Sequence, residues 1–156
     1  MYTPPHFRED DITVLHETIR RIAFGTLVTL GPDRLVASHV PMLLDVDKGT
    51  HGTLTGHLAK ANIQTKTEAS DIEALAIFQG PEAYITPNWY ATKQEHGKVV
   101  PTWNYVAVHA YGDIEFFDDA ARLLDLVSAL TDTHEANRVA PWAVSDAPAD
   151  YIAAPL

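Results

Sequence analysis

The sequence predicts a mainly β fold, an antiparallel barrel of about six strands with peripheral helices. Three observations predict it. Short β-branched and aromatic runs recur at hairpin spacing along the chain. Their connections are mostly too short for parallel crossovers. Helical periodicity is confined near residues 11–22 and 118–133.

The elements follow in order. Asp10-Asp11 precedes Ile12, Leu15, Ile19 and Ile22, the pattern of a short amphipathic helix with acids at its N-terminus. Ala23 to Leu30 reads as a strand, Gly31-Pro32-Asp33 as a turn, and Arg34 to Leu44 as a second strand. Asp45 to Thr50 is a polar loop, and His51 to Leu54 a third strand. Thr55 to Asn62 follows, with the makings of one or two helical turns. Glu73 to Phe78 is the fourth strand, Ala83 to Thr86 the fifth, and Thr102 to Phe117 a long sixth. Asp118 is expected to cap a helix carrying Leu123, Leu124, Val127 and Leu130 on one side. A last helical turn is expected around Tyr151.

Bulk properties narrow the function. At 156 residues the chain is read as one domain. No apolar run approaches the ~20 residues of a membrane span, and the N-terminus lacks a basic start and apolar core. There is no cysteine, which excludes disulfides, Cys-ligated zinc and iron–sulfur clusters. A cytoplasmic location is expected. No metal-ligand spacing is found, and no metal is expected. The net charge is −10, with −7 of it in residues 113–156 and −3 in residues 1–112. Such a surface repels nucleic acid at long range. A phosphate ligand would need a local positive pocket in the first two-thirds.

Three constellations carry possible chemistry. In Thr55-Gly56-His57-Leu58-Ala59-Lys60-Ala61-Asn62, a strand end and a glycine let backbone N–H groups approach an anion. His57, Lys60 and Asn62 add donors, which together make a phosphate cradle. A surface turn with a solvated lysine accounts for the same residues. In Trp103 to Tyr111, alternation puts Trp103, Tyr105, Ala107, His109 and Tyr111 on one face and Asn104, Val106, Val108 and Ala110 on the other. The aromatic face needs a helix, a ligand or a second subunit over it. The third is Ala37-Ser38-His39-Val40-Pro41, where the proline calls for a bulge or an open edge and Ser38 and His39 offer donors. Gln79 and Asn104 stand among the aromatics of residues 78–90 and 100–105. Two of the three tryptophans and three of the six tyrosines fall there, as suits the holding of a flat, polar-edged ring. A β core with well-chosen turns is the plainer account.

Taken together, these segments resemble the PaiB-like FMN-binding negative transcriptional regulators. The resemblance lies in Met1 to Phe7, Ser38-His39-Val40-Pro41, Gly56 to Asn62, Phe78-Gln79-Gly80-Pro81, Tyr84 to Tyr90 and Val100 to His109, with weaker matches at His134-Glu135 and Trp142. It implies a split β-barrel like that of pyridoxamine-phosphate oxidases and flavin reductases. It also implies a homodimer with FMN in the groove between subunits. Thr55 to Asn62 then looks like the phosphate-binding stretch, with Lys60 the charge partner. Ser38, His39 and Val40 look like the strand facing the flavin ring. Gln79, Trp103 and Asn104 complete the implied cofactor-binding set, and the Trp103 to His109 strand would line the dimer seam. Members of the family run further than Leu156, so residues 1–156 are expected to be one FMN-binding split-barrel domain lacking a C-terminal extension.

The expected function is FMN-dependent regulation, with direct DNA binding doubtful because no segment carries clustered Lys and Arg. A flavin-dependent oxidoreductase on the same scaffold is the alternative, and a cofactor-free association module a third reading. No catalytic residue is assigned.

Overall fold

A computed structural model of the chain describes residues 1–66, 72–148 and 152. Helix α1 (Ile12–Ile22) starts where Asp11 accepts a hydrogen bond from Thr13 N at 2.8 Å, satisfying one of the free N–H groups of the first turn. It stops at Ala23, whose φ of 57° breaks the helix while its N–H still reaches Ile19 O at 2.7 Å. Ala23 therefore ends the helix rather than opening the first strand.

Five strands follow: β1 (Phe24–Leu30), β2 (Leu35–Asp45), β3 (Thr53–Gly56), β4 (Ala74–Ile85) and β5 (Thr102–Gly112). They form one antiparallel sheet in the order β3-β2-β1-β4-β5. The mainly β class with peripheral helices holds. The sheet does not close, and β3 and β5 are its edges. The expected fourth and fifth strands are one strand, β4. Gly80-Pro81 is a bulge in it rather than a turn, with the register to β5 shifting between Gln79 and Glu82. Proline lacks a ladder N–H, and glycine lets Val106 come close, a Cβ on Gly80 meeting Val106 Cβ at 3.2 Å. The long final strand stops at Gly112, short of Phe117.

Helix α3 (Ala120–Glu135) is capped by Asp119, which accepts from Arg122 N at 2.8 Å, and not by Asp118. Its buried residues are Leu126 and Leu130, whereas Leu124 is exposed. A short helix α2 (Thr92–His96) sits in the β4–β5 connection. The helical turn expected around Tyr151 falls outside the described residues.

The core lies between α1 and the inner sheet face. Ile19, Val40, Met42, Ala76, Phe78 and Val108 are buried, and Leu15, Ile22, Leu27, Leu44, Leu54, Leu58 and Ala110 pack against them. Phe78 is 0% exposed. It fits because Gly25 has no side chain: a Cβ there would lie 2.9 Å from Phe78 Cε1.

Alternation leaves a second, outer face. Register aligns His39, Thr26, Ile77 and His109 in one row across β2, β1, β4 and β5. Ala37, Val28, Leu75 and Tyr111 form the next row. The expected facing of β5 is seen: Val108 is buried, while Trp103, Tyr105 and Tyr111 are each more than half exposed. β1 pairs with β4 only at Leu75 to Ile77, and beyond the Gly80-Pro81 bulge Glu82 to Tyr84 of β4 and Thr102 to Tyr105 of β5 run on as a two-stranded arm exposed on both faces.

Candidate functional site

β2 is longer than its partner β3, and this difference creates the site. β3 pairs only with Met42 to Asp45 and ends at Gly56. From Leu35 to Pro41 the outer edge of β2 is left to the segment that follows β3. Met42 N donates to Ala23 O, toward β1. Strand alternation then turns Pro41 and His39 toward the uncovered edge. The proline thus sits where a missing N–H breaks no ladder bond, as its residue type requires.

The segment from His57 to Lys66 wraps this edge. His57 lies on the outer side, lining a cleft of about 300 Å³ with Pro41, Val127, Leu130, His134 and Trp142. Lys60 lies in the exposed turn and makes no ion pair among the described residues. Asn62 returns to the inner side, where its Nδ2 donates to Ser38 Oγ at 2.9 Å. No helix forms within Thr55 to Asn62, where the strand β3 gives way to a turn, and a 3₁₀ turn follows only at Ile63–Lys66. His39 faces outward, its Nδ1 3.0 Å from Thr26 Oγ1 and its ring stacked on Phe24 with centroids 6.0 Å apart. Val40 is 2% exposed, so its side chain belongs to the core and only its backbone borders the edge. Thr55 and Gly56 are half-buried in β3. Gly56 lies flat on β2, where a Cβ would come within 2.8 Å of Val40 Cγ1 and 3.0 Å of Pro41 O.

The remaining candidates lie elsewhere. Gln79 is exposed on β4 opposite Ala107. Asn104 is exposed opposite Ala83, and Trp103 opposite Tyr84. Trp103 Nε1 donates to a Glu82 carboxylate oxygen, and its ring sits 5.9 Å from that of Tyr84. β1 lies between β2 and β4, so Gln79 stands two strand steps, about 10 Å, from Ser38 and His39, and Trp103 and Asn104 stand a further step away on β5. Sequence reasoning also missed Gln64, which is 0% exposed beneath this loop. A single glutamine in a polar stretch carries no signal of burial.

His109 stands apart chemically. Its Nδ1 is shut off from solvent and has no hydrogen-bond partner among the described residues. Burial first, and repulsion from the N-terminal ammonium second, hold its pKa below the ordinary 6.5. Between that lowered value and 6.5 the unfolded chain binds a proton that the folded chain does not. Stability contributed by the neutral ring is therefore complete above 6.5 and declines as pH falls through that window. The melting temperature is expected to drop between about pH 7.5 and about pH 5, and to drop less in His109→Asn. Equal drops in thermal melts of the two proteins would remove His109 as a cause.

FMN combines a phosphate dianion with a flat ring whose edge is polar. The donor set fits it: a Lys60 ammonium with no ion pair among the described residues, imidazoles at His57 and His39, and beside them a β2 edge that β3 leaves unpaired. Among the described residues no group of three His, Asp or Glu is placed to hold a metal ion. No described helix is long and apolar enough to cross a membrane.

Comparison with known proteins gives the chain a family. The sequence family described as "Putative FMN-binding domain" matches residues 1–156. The Bacillus subtilis protein named protease synthase and sporulation protein PAI 2 is 34% identical over 141 residues, covering 89% of this chain and 65% of that protein. Uncharacterized protein AN0679 of Emericella nidulans is 34% identical over 188 residues, covering 97% of this chain and 74% of the other. Uncharacterized protein YKL070W of Saccharomyces cerevisiae is 30% identical over 158 residues, covering 88% and 92% respectively. With the match running over all 156 residues and a PAI 2 relative across most of them, the chain belongs to the FMN-binding-domain family of PaiB-like proteins.

Proposed function

We propose that this protein binds FMN at a site completed by a second copy of the chain, and that it acts as a PaiB-type regulator in the cytoplasm. One observation carries the reading. The exposed candidate residues fall into two groups on opposite sides of β1, one around His57, Lys60 and His39, the other at Gln79, Trp103 and Asn104 on β4 and β5. A homodimer that sets the arm of one copy against the β2 edge of the other unites them. It also covers the apolar outer face, which is too extensive to leave in water, and an obligate interface of this kind buries on the order of 2,000 Å² or more.

In this reading Lys60 pairs with the phosphate, while His57 and Asn62 line its approach. Ser38, His39 and the Val40 backbone border the ring on one side, and Gln79, Trp103 and Asn104 of the other copy border it on the second. Bound FMN supplies the redox chemistry of its isoalloxazine ring, which the protein orients and shields. The resemblance to the PaiB-like regulators supports a regulatory role. A surface of net charge −10 and the lack of a basic recognition helix argue that regulation runs through a partner or a small molecule. Fluorescence anisotropy should show only weak binding of duplex DNA, lost at physiological salt. Saturable, fragment-selective binding there would move DNA reading to the front.

The test is the visible spectrum of freshly purified protein, with FMN added, together with light scattering. A flavin spectrum and a mass twice the 17.2 kDa of one chain are expected. A protein that stays colourless after FMN addition would overturn the cofactor assignment. A monomer mass at micromolar concentration would overturn the shared site.

A further inference from the structure

We infer that Gln64 is a positioning residue that clamps the Lys60 loop onto the β1–β2 hairpin and so sets the affinity for a phosphate-bearing ligand. The ligand half of this inference rests on the FMN reading above, and the clamp rests on geometry alone.

Gln64 is fully buried, which is uncommon for a long polar side chain. Its two Nε2 hydrogens are shared among three acceptors, Leu27 O at 3.1 Å, Thr29 Oγ1 at 3.1 Å and Val36 O at 3.3 Å. One amide group thereby joins β1 and β2 from below. The orientation is unambiguous, because turning the amide over would set Oε1 against two carbonyl oxygens. Oε1 has no partner among the described residues. Methionine would fill the same space without a buried amide to satisfy, so packing alone gives no reason for a glutamine here.

From Gln64 the bonds lead back to Lys60. Gln64 N donates to Asn62 Oδ1 at 2.9 Å, and Asn62 Nδ2 to Ser38 Oγ at 2.9 Å. Asn62 N reaches Ala59 O at 2.8 Å, closing the turn that holds Lys60. Thr65 binds Asn62 O twice, through its N at 3.1 Å and its Oγ1 at 2.8 Å. Lys60 is exposed and makes no ion pair among the described residues, so their contacts place its ammonium only by placing this turn. The anchors come from residues 28 to 37 positions away in sequence. Without them the turn would be a solvent loop that the ligand must order, and such ordering weakens binding by about tenfold.

The first experiment is amide hydrogen exchange of the ligand-free full chain. In the parent, Asn62, Gln64 and Thr65 should exchange as slowly as the β1–β2 ladder, as members of one cooperative unit. In Gln64→Met, residues 59–66 should exchange about tenfold faster or more while β1–β2 stays protected. Fast exchange of 59–66 in the parent would overturn the clamp, and this result does not depend on the variant folding. Unchanged exchange in the variant would overturn it as well, as would equal acceleration of β1–β2, which is the mark of a plain core residue. The second experiment is titration with FMN and with riboflavin. Gln64→Met should weaken FMN about tenfold and leave riboflavin alone. The double variant with Lys60→Ala should bind FMN no worse than Lys60→Ala by itself. Additive losses would overturn the link to Lys60. A parent that does not distinguish FMN from riboflavin would sink the FMN reading, while the exchange result still decides the clamp.

Discussion

Alanine at position 78 is expected to cost about 3–5 kcal/mol of stability. Phe78 is 0% exposed and sits in the core cluster with Ile19, Val40, Met42, Ala76 and Val108. Removing its ring leaves a cavity that rigid neighbours fill only in part: strands β1, β2 and β5 and helix α1 surround it. A domain of this size has only about 5–15 kcal/mol in total, so the variant should unfold at a much lower urea concentration with little change in the slope of the transition. The measurement needs several protein concentrations, because dimerisation would couple folding to concentration. A loss under about 1 kcal/mol would mean that the core is organised around some other residue.

Lys60→Ala is expected to weaken FMN binding about tenfold to a hundredfold, the effect of losing a charge-assisted contact worth roughly 1.5–3 kcal/mol. Lys60 is exposed, and no carboxylate competes for it among the described residues. Riboflavin, which lacks the phosphate, should bind the parent less tightly and lose little in the variant. The contrast should shrink with added salt, as expected for an exposed ion pair. Flavin fluorescence titrations of both ligands measure it. Equal losses for FMN and riboflavin would remove the phosphate role.

Local patterns in the sequence were legible and long-range ones were not. Asp11 with Ile12, Leu15, Ile19 and Ile22 specifies α1, because cap and stripe are both short-range facts. The alternation of β5 correctly separates Val108 from Tyr105 and Tyr111. Gly80-Pro81 misleads because a turn and a bulge ask for the same residue types. Ala23 misleads because nothing in an alanine announces a φ of 57°. Asp118 and Asp119 are equal candidates as caps until the backbone selects Asp119. At the site, the wrapping segment from His57 to Asn62 is readable as a donor-rich turn after a strand. Its relation to Ser38 is tertiary, and the part played by Gln64 depends on carbonyl groups that every residue possesses.

The contact between Gly25 and Phe78 constrains how this sequence can change over generations. A Cβ at 25 would lie 2.9 Å from Phe78 Cε1 and 3.2 Å from its Cδ1 and Cζ. The ring is enclosed on its other sides by the core and has nowhere to withdraw. Any side chain at 25 therefore overpacks the core unless residue 78 has already become smaller, and a smaller residue at 78 leaves a hole unless residue 25 grows. The two sites hold a single volume between them. In a drifting population selected only for folding, mutants at 25 should appear almost exclusively on backgrounds already altered at 78, such as leucine. The route from one pair to the next crosses a less stable intermediate, which the chain can survive only with stability in reserve elsewhere.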